Sequence, residues 1–228
     1  NFASNAYLPL LQDNGALFTF GPFSRPALNP GFGPMVMNNP ALARIACDLS
    51  VMAVIVPGTD SVPEHIVGFA DHWSVRSIAT ARSSFRFKDA AGVFQQTSGD
   101  PNALETDTPT RFGWNVKQVG QQVSCRRRIA GRASTFLFTS GWGSYGSGAC
   151  TLFGQGASTM FSGFCAELLV FAPQLTDQQT LDIEAAQIAC GIAAGAQRRF
   201  AFERMLPFKP FMAAQLGMGF CAVVWRAP

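Results

Sequence analysis

Residues 160–191 read MFSGFCAELLVFAPQLTDQQTLDIEAAQIACG. A turn at Ser162-Gly163 opens an apolar run at 164–171. Pro173 stops that run, because proline has no N–H to give a strand ladder. Thr176 then stands where a helix N-cap belongs, and Gln179 follows at the spacing of a capping box. Leu181, Ala185 and Ile188 recur at helical spacing, and Gly191 supplies a stop. The stretch is strand, turn, capped helix. Everything before it reads as strands, and one closing helix after many strands is a restrictive pattern.

Upstream, 49–56 (LSVMAVIV) is apolar on both faces, as expected of a central strand covered on both sides, and Pro57-Gly58 ends it. Segments 66–70 and 73–79 flank a turn at Asp71-His72. Segment 84–88 alternates, with Phe85 and Phe87 inward and Arg86 and Lys88 outward. Residues 89–92 connect it to 93–94 as a hairpin. The polar stretch 96–110 is a surface loop. Strands at 111–119 and 123–129 join at Gly120, a Phe-rich strand follows at 135–139, and another covers 149–153 after a glycine-rich loop at 140–148. About ten strands with turn signals roughly every 8–12 residues spell an antiparallel sandwich.

The expected fold is therefore all-β: an antiparallel jelly-roll β-sandwich with one short C-terminal helix and extended terminal arms. Residues 1–34, rich in Pro, Gly and Asn, form an N-terminal extended arm with one or two short strands. Residues 35–192 form the sandwich, starting with a brief strand at Met35–Met37. Residues 193–228 form an apolar C-terminal arm that packs on the domain or on a neighbour.

Apolar residues make up 48% of the chain and charged residues only 14%, against about 25% charged in ordinary soluble domains. So little charge is a solubility problem for a free monomer. It predicts a homo-oligomer or a subunit covered by neighbours; a compact sandwich with a large core is the plainer account. The net charge of +3 is too small to argue for nucleic acid. Arg126, Arg127, Arg128 and Arg132 are clustered, but on a strand Arg126 and Arg128 share one face and Arg127 takes the other. The cluster reads as a solvated or subunit-contacting strand.

The six cysteines, Cys47, Cys125, Cys150, Cys165, Cys190 and Cys221, form no CxxC pair, and His65 and His72 are not spaced with them as zinc ligands. They read as buried free thiols acting as small hydrophobes, although an even number permits disulfides. No secretory signal is read in these residues, and no apolar run is long enough to span a bilayer; the nearest, at 211–225, is broken by Gln215 and by glycines. No membrane insertion is expected. The chain opens at Asn1 without Met, which predicts processing or an excluded beginning.

Three segments resemble the concanavalin A-like lectin/glucanase superfamily, in its laminin-G-like branch. LSVMAVIVPG is similar to the early central strand, and FGWNVKQVGQQVSCRRRIAGR to the central hairpin, with Ala130-Gly131 at its turn instead of the usual Asn-Gly or Asp-Gly. The closing unit runs from GACTLF to IACGI. It has a turn at Phe161-Ser162-Gly163, a strand at Ala166-Glu167, and a helix start at Leu175-Thr176-Asp177. The likeness covers about residues 35–192. It implies that the helix is a structural plug and that Glu167 is a hydrogen-bonding sheet residue.

A glycoside hydrolase needs two carboxylates flanking the scissile bond. No strand carries such a pair. Asp182 and Glu184 lie in the helix on different faces, and Asp60 and Glu64 flank a proline loop. Asp100, Asn102, Glu105 and Asp107 read as a solvated acidic loop and not a calcium site. No catalytic residue, metal or cofactor is expected. Sugar binding needs an exposed aromatic face. Trp142 and Tyr145 in the glycine-rich loop are the best candidates, with Trp73 beside Asp71-His72 next. Trp142 has a second reading, as an anchor folded back on the sandwich rim. Trp114 alternates with Phe112 and Val116 and is core.

These readings predict a noncatalytic protein that works by contact. The leading expectation is a structural or adhesion subunit of a large surface assembly, a virus or phage virion protein (capsid decoration, fibre or tail), which would place it on the virion surface. The alternative is a secreted or cell-surface carbohydrate-binding module with a glycan as partner, and a glycoside hydrolase comes third.

Overall fold

The computed structural model describes residues 17–19, 27–29, 35–37, 48–58, 64–69, 72–78, 82–97, 109–143, 150–154, 161–172, 174–189 and 221–226. The strands are β1 Leu17–Thr19, β2 Ala27–Asn29, β3 Met35–Met37, β4 Leu49–Val56, β5 Glu64–Phe69, β6 Trp73–Ile78 and β7 Arg82–Lys88. They continue with β8 Phe94–Gln96, β9 Thr110–Val119, β10 Gln122–Ile129, β11 Arg132–Phe138, β12 Cys150–Leu152, β13 Phe164–Ala172 and β14 Cys221–Arg226. A helix, α1, spans Asp177–Ala189.

These strands form two antiparallel sheets. One runs β1-β2-β13-β4-β9-β10-β11, with β14 also paired to β13, and the other runs β3-β12-β5-β6-β7-β8. Strand β4 sits between β13 and β9 and is buried along its whole length. That explains why the run is apolar on both faces but for Ser50: one face meets the opposite sheet and the other meets the helix layer. Short strands near both ends of the chain, β1, β2 and β14, extend the same sheet beside β13.

Between the sheets lies one core. Leu49, Val51, Ala53 and Ile55 of β4 face Val67, Phe69, Trp73, Val75, Phe85 and Phe87 of the six-stranded sheet. Aromatic contacts cross the interior, Phe85 to Trp114 with ring centroids 6.0 Å apart and Phe87 edge-on to Phe138 at 5.2 Å. Such pairs add to the hydrophobic stabilisation of the buried area. Trp114 is fully buried, as its alternation with Phe112 and Val116 predicts.

Helix α1 covers the outward face of the larger sheet. Its capping box forms as read: the Gln179 N–H donates to Thr176 Oγ1 at 3.2 Å, and the Thr176 N–H donates to Gln179 Oε1 at 2.8 Å. The seam beneath is polar and hydrogen-bonded, with Asn115 Oδ1 and Gln187 Oε1 left without a partner. Asn115 donates to Thr180 Oγ1 at 2.9 Å, Gln187 donates to buried Glu167 at 2.9 Å, and the Leu175 N–H reaches Ser50 Oγ at 2.9 Å. Glu167 is thus a hydrogen-bonded sheet residue.

The arginine cluster is corrected by this packing. Arg128 grips Glu184 of α1 through two hydrogen bonds, at 2.7 and 2.9 Å, and Arg126 pairs with Asp177 at the helix start. Arg127, on the opposite face, is 1% exposed. Its guanidinium lies 5.6 Å from the Trp114 ring centre and 5.1 Å from that of Phe136, and it donates to the Ser83 carbonyl. The alternation is as expected; the surface role is not. The acids that pair the outer two arginines come from a helix some fifty residues further along the chain, out of view of any local reading.

Several strand edges shift for local reasons. β5 begins at Glu64 because a bulge between His65 and Val67 absorbs an extra residue. β11 begins at Arg132 because the tight Ala130-Gly131 turn, with φ of 46° and 83°, forces pairing at once despite the polar start. Cys125, Cys150 and Cys165 are buried free thiols. The loop acids Asp100, Asn102, Glu105 and Asp107 lie outside the described residues, as do Asp60, Cys47 and Cys190.

Candidate functional site

The pleat decides what the six-stranded sheet shows to the outside. Trp73, Val75, Phe85 and Phe87 point into the core, so Ser74, Arg76, Ser84, Arg86 and Lys88 point away from it. The register is antiparallel throughout. His65 pairs with Arg76, and Arg76 pairs with Ser84, so three adjacent strands place one row of polar side chains on the outward face. In the next row stand Gly68, Ser74 and Arg86, with Thr151 of β12 opposite Gly68.

Each member of the His65–Arg76–Ser84 row carries a buried polar atom with no hydrogen-bond partner: His65 Nδ1, Arg76 Nε and Ser84 Oγ. His65 and Ser84 are 0% exposed, and Arg76 reaches part-way to the surface. A buried polar atom without a partner destabilises by about 1–3 kcal/mol. Three such atoms stand in this register row, all closed off from solvent, and five more lie elsewhere in the fold: Trp73 Nε1, Arg111 Nε, Asn115 Oδ1, Arg127 Nε and Gln187 Oε1.

The histidine's tautomer follows from its other nitrogen. His65 Nε2 lies 2.9 Å from the Thr151 carbonyl oxygen and 3.0 Å from Thr151 Oγ1. A carbonyl only accepts, so Nε2 carries the proton and the neutral ring leaves Nδ1 as a bare acceptor. Burial pulls the His65 pKa down to about 4, partly offset by the Thr151 carbonyl bond and helped by the Arg76 charge. Burial also lowers the pKa of Arg76, and the positive charge of Arg86 lowers it further. The Arg86 guanidinium lies 3.6 Å from the Phe94 ring centre. Neither Arg76 nor Arg86 has an acidic partner among the described residues.

The acids behave differently. All seven described carboxylates hold a hydrogen bond: Asp48 from the Gln118 N–H, Glu64 from Ser162, Asp89 from its own turn, Glu167 from Gln187, Asp177 from Arg126, Asp182 from Gln178 and Glu184 from Arg128. No group of three or more metal-ligating side chains occurs among the described residues. No described helix is long and apolar enough to cross a membrane.

The aromatic candidates take other places. Trp73 is 1% exposed, stacked on Phe85 at 6.0 Å and tilted against Phe69, so its ring faces are inside the core and offer nothing to a pyranose. It sits on the inward parity of β6, a fact that depends on where the strand starts. Trp142 is 9% exposed and stacks on Phe87 at 5.1 Å. Its indole N–H donates to His72 Nε2 at 2.6 Å, and its backbone bridges to Asp89. That is the rim-anchor arrangement. Burial, followed by the nearby Lys88 charge, holds the His72 pKa below the ordinary histidine value, in keeping with a ring that accepts. Tyr145 lies outside the described residues.

The His65–Arg76–Ser84 row is a polar grouping that reading the sequence missed. The alternation in SVRSI and SSFRF does put Arg76 and Arg86 outward. Which serine and which histidine stand beside them depends on the bulge and the register, and neither is a local property.

No protein-family model matches the chain, and no curated protein matches it in sequence. Solved structures match in fold. The Ruminococcus gnavus IT-sialidase CBM40 is 12% identical with a TM-score of 0.51, over 63% of this chain and 85% of that one. Domain 4 of AbnA, an extracellular arabinanase of Geobacillus stearothermophilus, is 12% identical over 75% of this chain and 79% of its own, with a TM-score of 0.48. The SAP-like pentraxin of Limulus polyphemus is 16% identical over 79% and 83%, with a TM-score of 0.45.

Proposed function

We propose that the chain is a noncatalytic, secreted or cell-surface carbohydrate-binding module that contacts a glycan through the outward face of its six-stranded sheet. The observation that carries this is the polar face itself, where the part-exposed Arg76 and Arg86 stand side by side on adjacent strands with no acidic partner among the described residues. Sugars supply what such a face lacks, since every hydroxyl both donates and accepts. The fold likeness to the CBM40 of a sialidase is consistent with a module of this kind. Each described carboxylate is held in a hydrogen bond.

Of the two contact functions that the sequence leaves open, this is the alternative one. A virion subunit finds no support in the fold comparisons or in the outward face. The reading is tested by screening the folded chain and its Arg76→Ala variant on a glycan array, then by titration calorimetry on the hits. The wild type is expected to retain at least one glycan class, and Arg76→Ala to lose at least tenfold, about 1.4 kcal/mol, in affinity. Equal binding by a folded Arg76→Ala variant removes the site from the proposal.

A further inference from the structure

We infer that two copies of this chain associate through β11, pairing antiparallel, edge to edge, about a two-fold axis at Thr135. β11 ends the larger sheet on the side away from β13, and among the described residues it pairs with β10 alone. Edge strands are kept from joining one another by shortness, a proline, a bulge or a lysine. β11 has none of these. It runs seven residues, RASTFLF, its pairing with β10 is unbroken, and its one charge is Arg132 at the start. Ala133, Thr135 and Leu137 are all exposed, Leu137 at 61%.

Backbone alternation specifies the register. The Ala130 N–H donates to the Arg111 carbonyl at 3.0 Å. Even-numbered residues of β10 therefore turn their backbone groups to β9, and odd-numbered ones turn theirs to β11. Arg132, Ser134, Phe136 and Phe138 bond to β10, and the N–H and C=O groups of Ala133, Thr135 and Leu137 point outward. Only an axis at Thr135 gives all three a counterpart: Thr135 meets the partner's Thr135, and Ala133 meets the partner's Leu137 in both directions. Three such pairs make about six hydrogen bonds. The side chains agree. Threonine faces threonine and alanine faces leucine on the outward face, serine faces phenylalanine on the inward face, and Arg132 meets the partner's Phe138. No like charges oppose one another.

Exposed apolar surface gathers on the same side. Of the five large apolar side chains exposed among the described residues, Val119 and Leu137 lie on the outward face of β9 and β11, and Leu181 and Ile188 lie on α1. Asp177 and Glu184 hold α1 to β10. Leu181 and Ile188 stand three or four residues from them, on that same flank of the helix. A concentration of uncovered apolar side chains beside an open edge marks an association surface. The strand matches itself in hydrogen bonds and in side chains, which selects a second copy as the occupant. Isologous pairing closes after two copies, and the dimer is independent of what the six-stranded sheet binds.

Sedimentation velocity of the full chain from about 1 to 100 μM is expected to show a monomer–dimer equilibrium. Thr135→Lys sets two lysines together on the axis. It should weaken dimerisation at least tenfold and leave thermal melting of the monomer unchanged, because the side chain is exposed. Thr135→Cys reads the position of the axis. A hydrogen-bonded antiparallel pair holds its Cα atoms about 5.5 Å apart, within disulfide reach. Mild oxidation of Thr135→Cys should therefore give a covalent dimer. Ala133→Cys should not, since its two copies lie about 14 Å apart. A wild type that stays monomeric throughout overturns the inference. So does a dimer undiminished in Thr135→Lys, or one in which Thr135→Cys cross-links no better than Ala133→Cys, because the copies then meet elsewhere.

Discussion

At the scale of single residues, the chain separates charges that stabilise from charges left uncompensated. Arg127 is buried yet served by two aromatic faces and the Ser83 carbonyl. Arg76 has no such support. His65 sits beside it, neutral and fully buried, and this makes stability depend on pH. The folded pKa is near 4 against an ordinary 6.5. Above pH 6.5 both states hold the neutral ring and the stabilisation is complete. As pH falls from 6.5 toward 4, the unfolded chain takes up a proton that the folded chain refuses, so stability drops through that window and levels off below it. The full loss is about 3 kcal/mol, since each tenfold difference in proton affinity between the two states is worth about 1.4 kcal/mol. Urea denaturation of wild type and His65→Gln at pH 7.5, 5 and 4 checks this: the wild type should lose more stability on acidification than the variant, and parallel losses would refute it.

At the scale of elements, the closing unit is held by one close approach and one cap, and their magnitudes differ. Gly163 lies where β13 leaves the turn, and a Cβ there would collide with the Val56 carbonyl oxygen and the Phe161 ring. Backbone oxygen cannot move aside as a flexible side chain can, so Gly163→Ala is expected to destabilise by about 2–3 kcal/mol. The cap is a lesser matter. Thr176→Ala removes one reciprocal bond of the capping box and should destabilise by about 1 kcal/mol. Chemical denaturation of both variants gives the order directly, and a Thr176→Ala loss equal to or above that of Gly163→Ala would contradict it. The capping box was legible because its partners are three residues apart. The Glu184–Arg128 and Thr180–Asn115 contacts that dock the same helix were not, since their partners lie 56 and 65 residues away.

At the scale of the whole molecule, the core keeps its thiols out of reach. Burial pushes the Cys150 thiol up to about 12 and raises those of Cys125 and Cys165 as well. A thiolate is the reactive form. Alkylation mapped by mass spectrometry should therefore leave these three cysteines unmodified in the folded protein and label them in step with unfolding; rapid labelling of any one would show that the sandwich is not closed around it. The cysteines follow the apolar runs, and so does the architecture. Alternation in the strands, the two-faced apolar run of β4, the turn glycines and the helix cap all act between near neighbours along the chain, and from them the sequence alone determined an antiparallel sandwich closed by one helix. Only the tertiary structure decided which polar side chains meet. A bulge between His65 and Val67 and the register of β5, β6 and β7 align His65, Arg76 and Ser84 on one face, while the inward parity of β6 takes Trp73 into the core. A shift of one residue reverses every side chain in a strand, so the composition of a sheet face is a property of pairing between distant segments and not of any one of them.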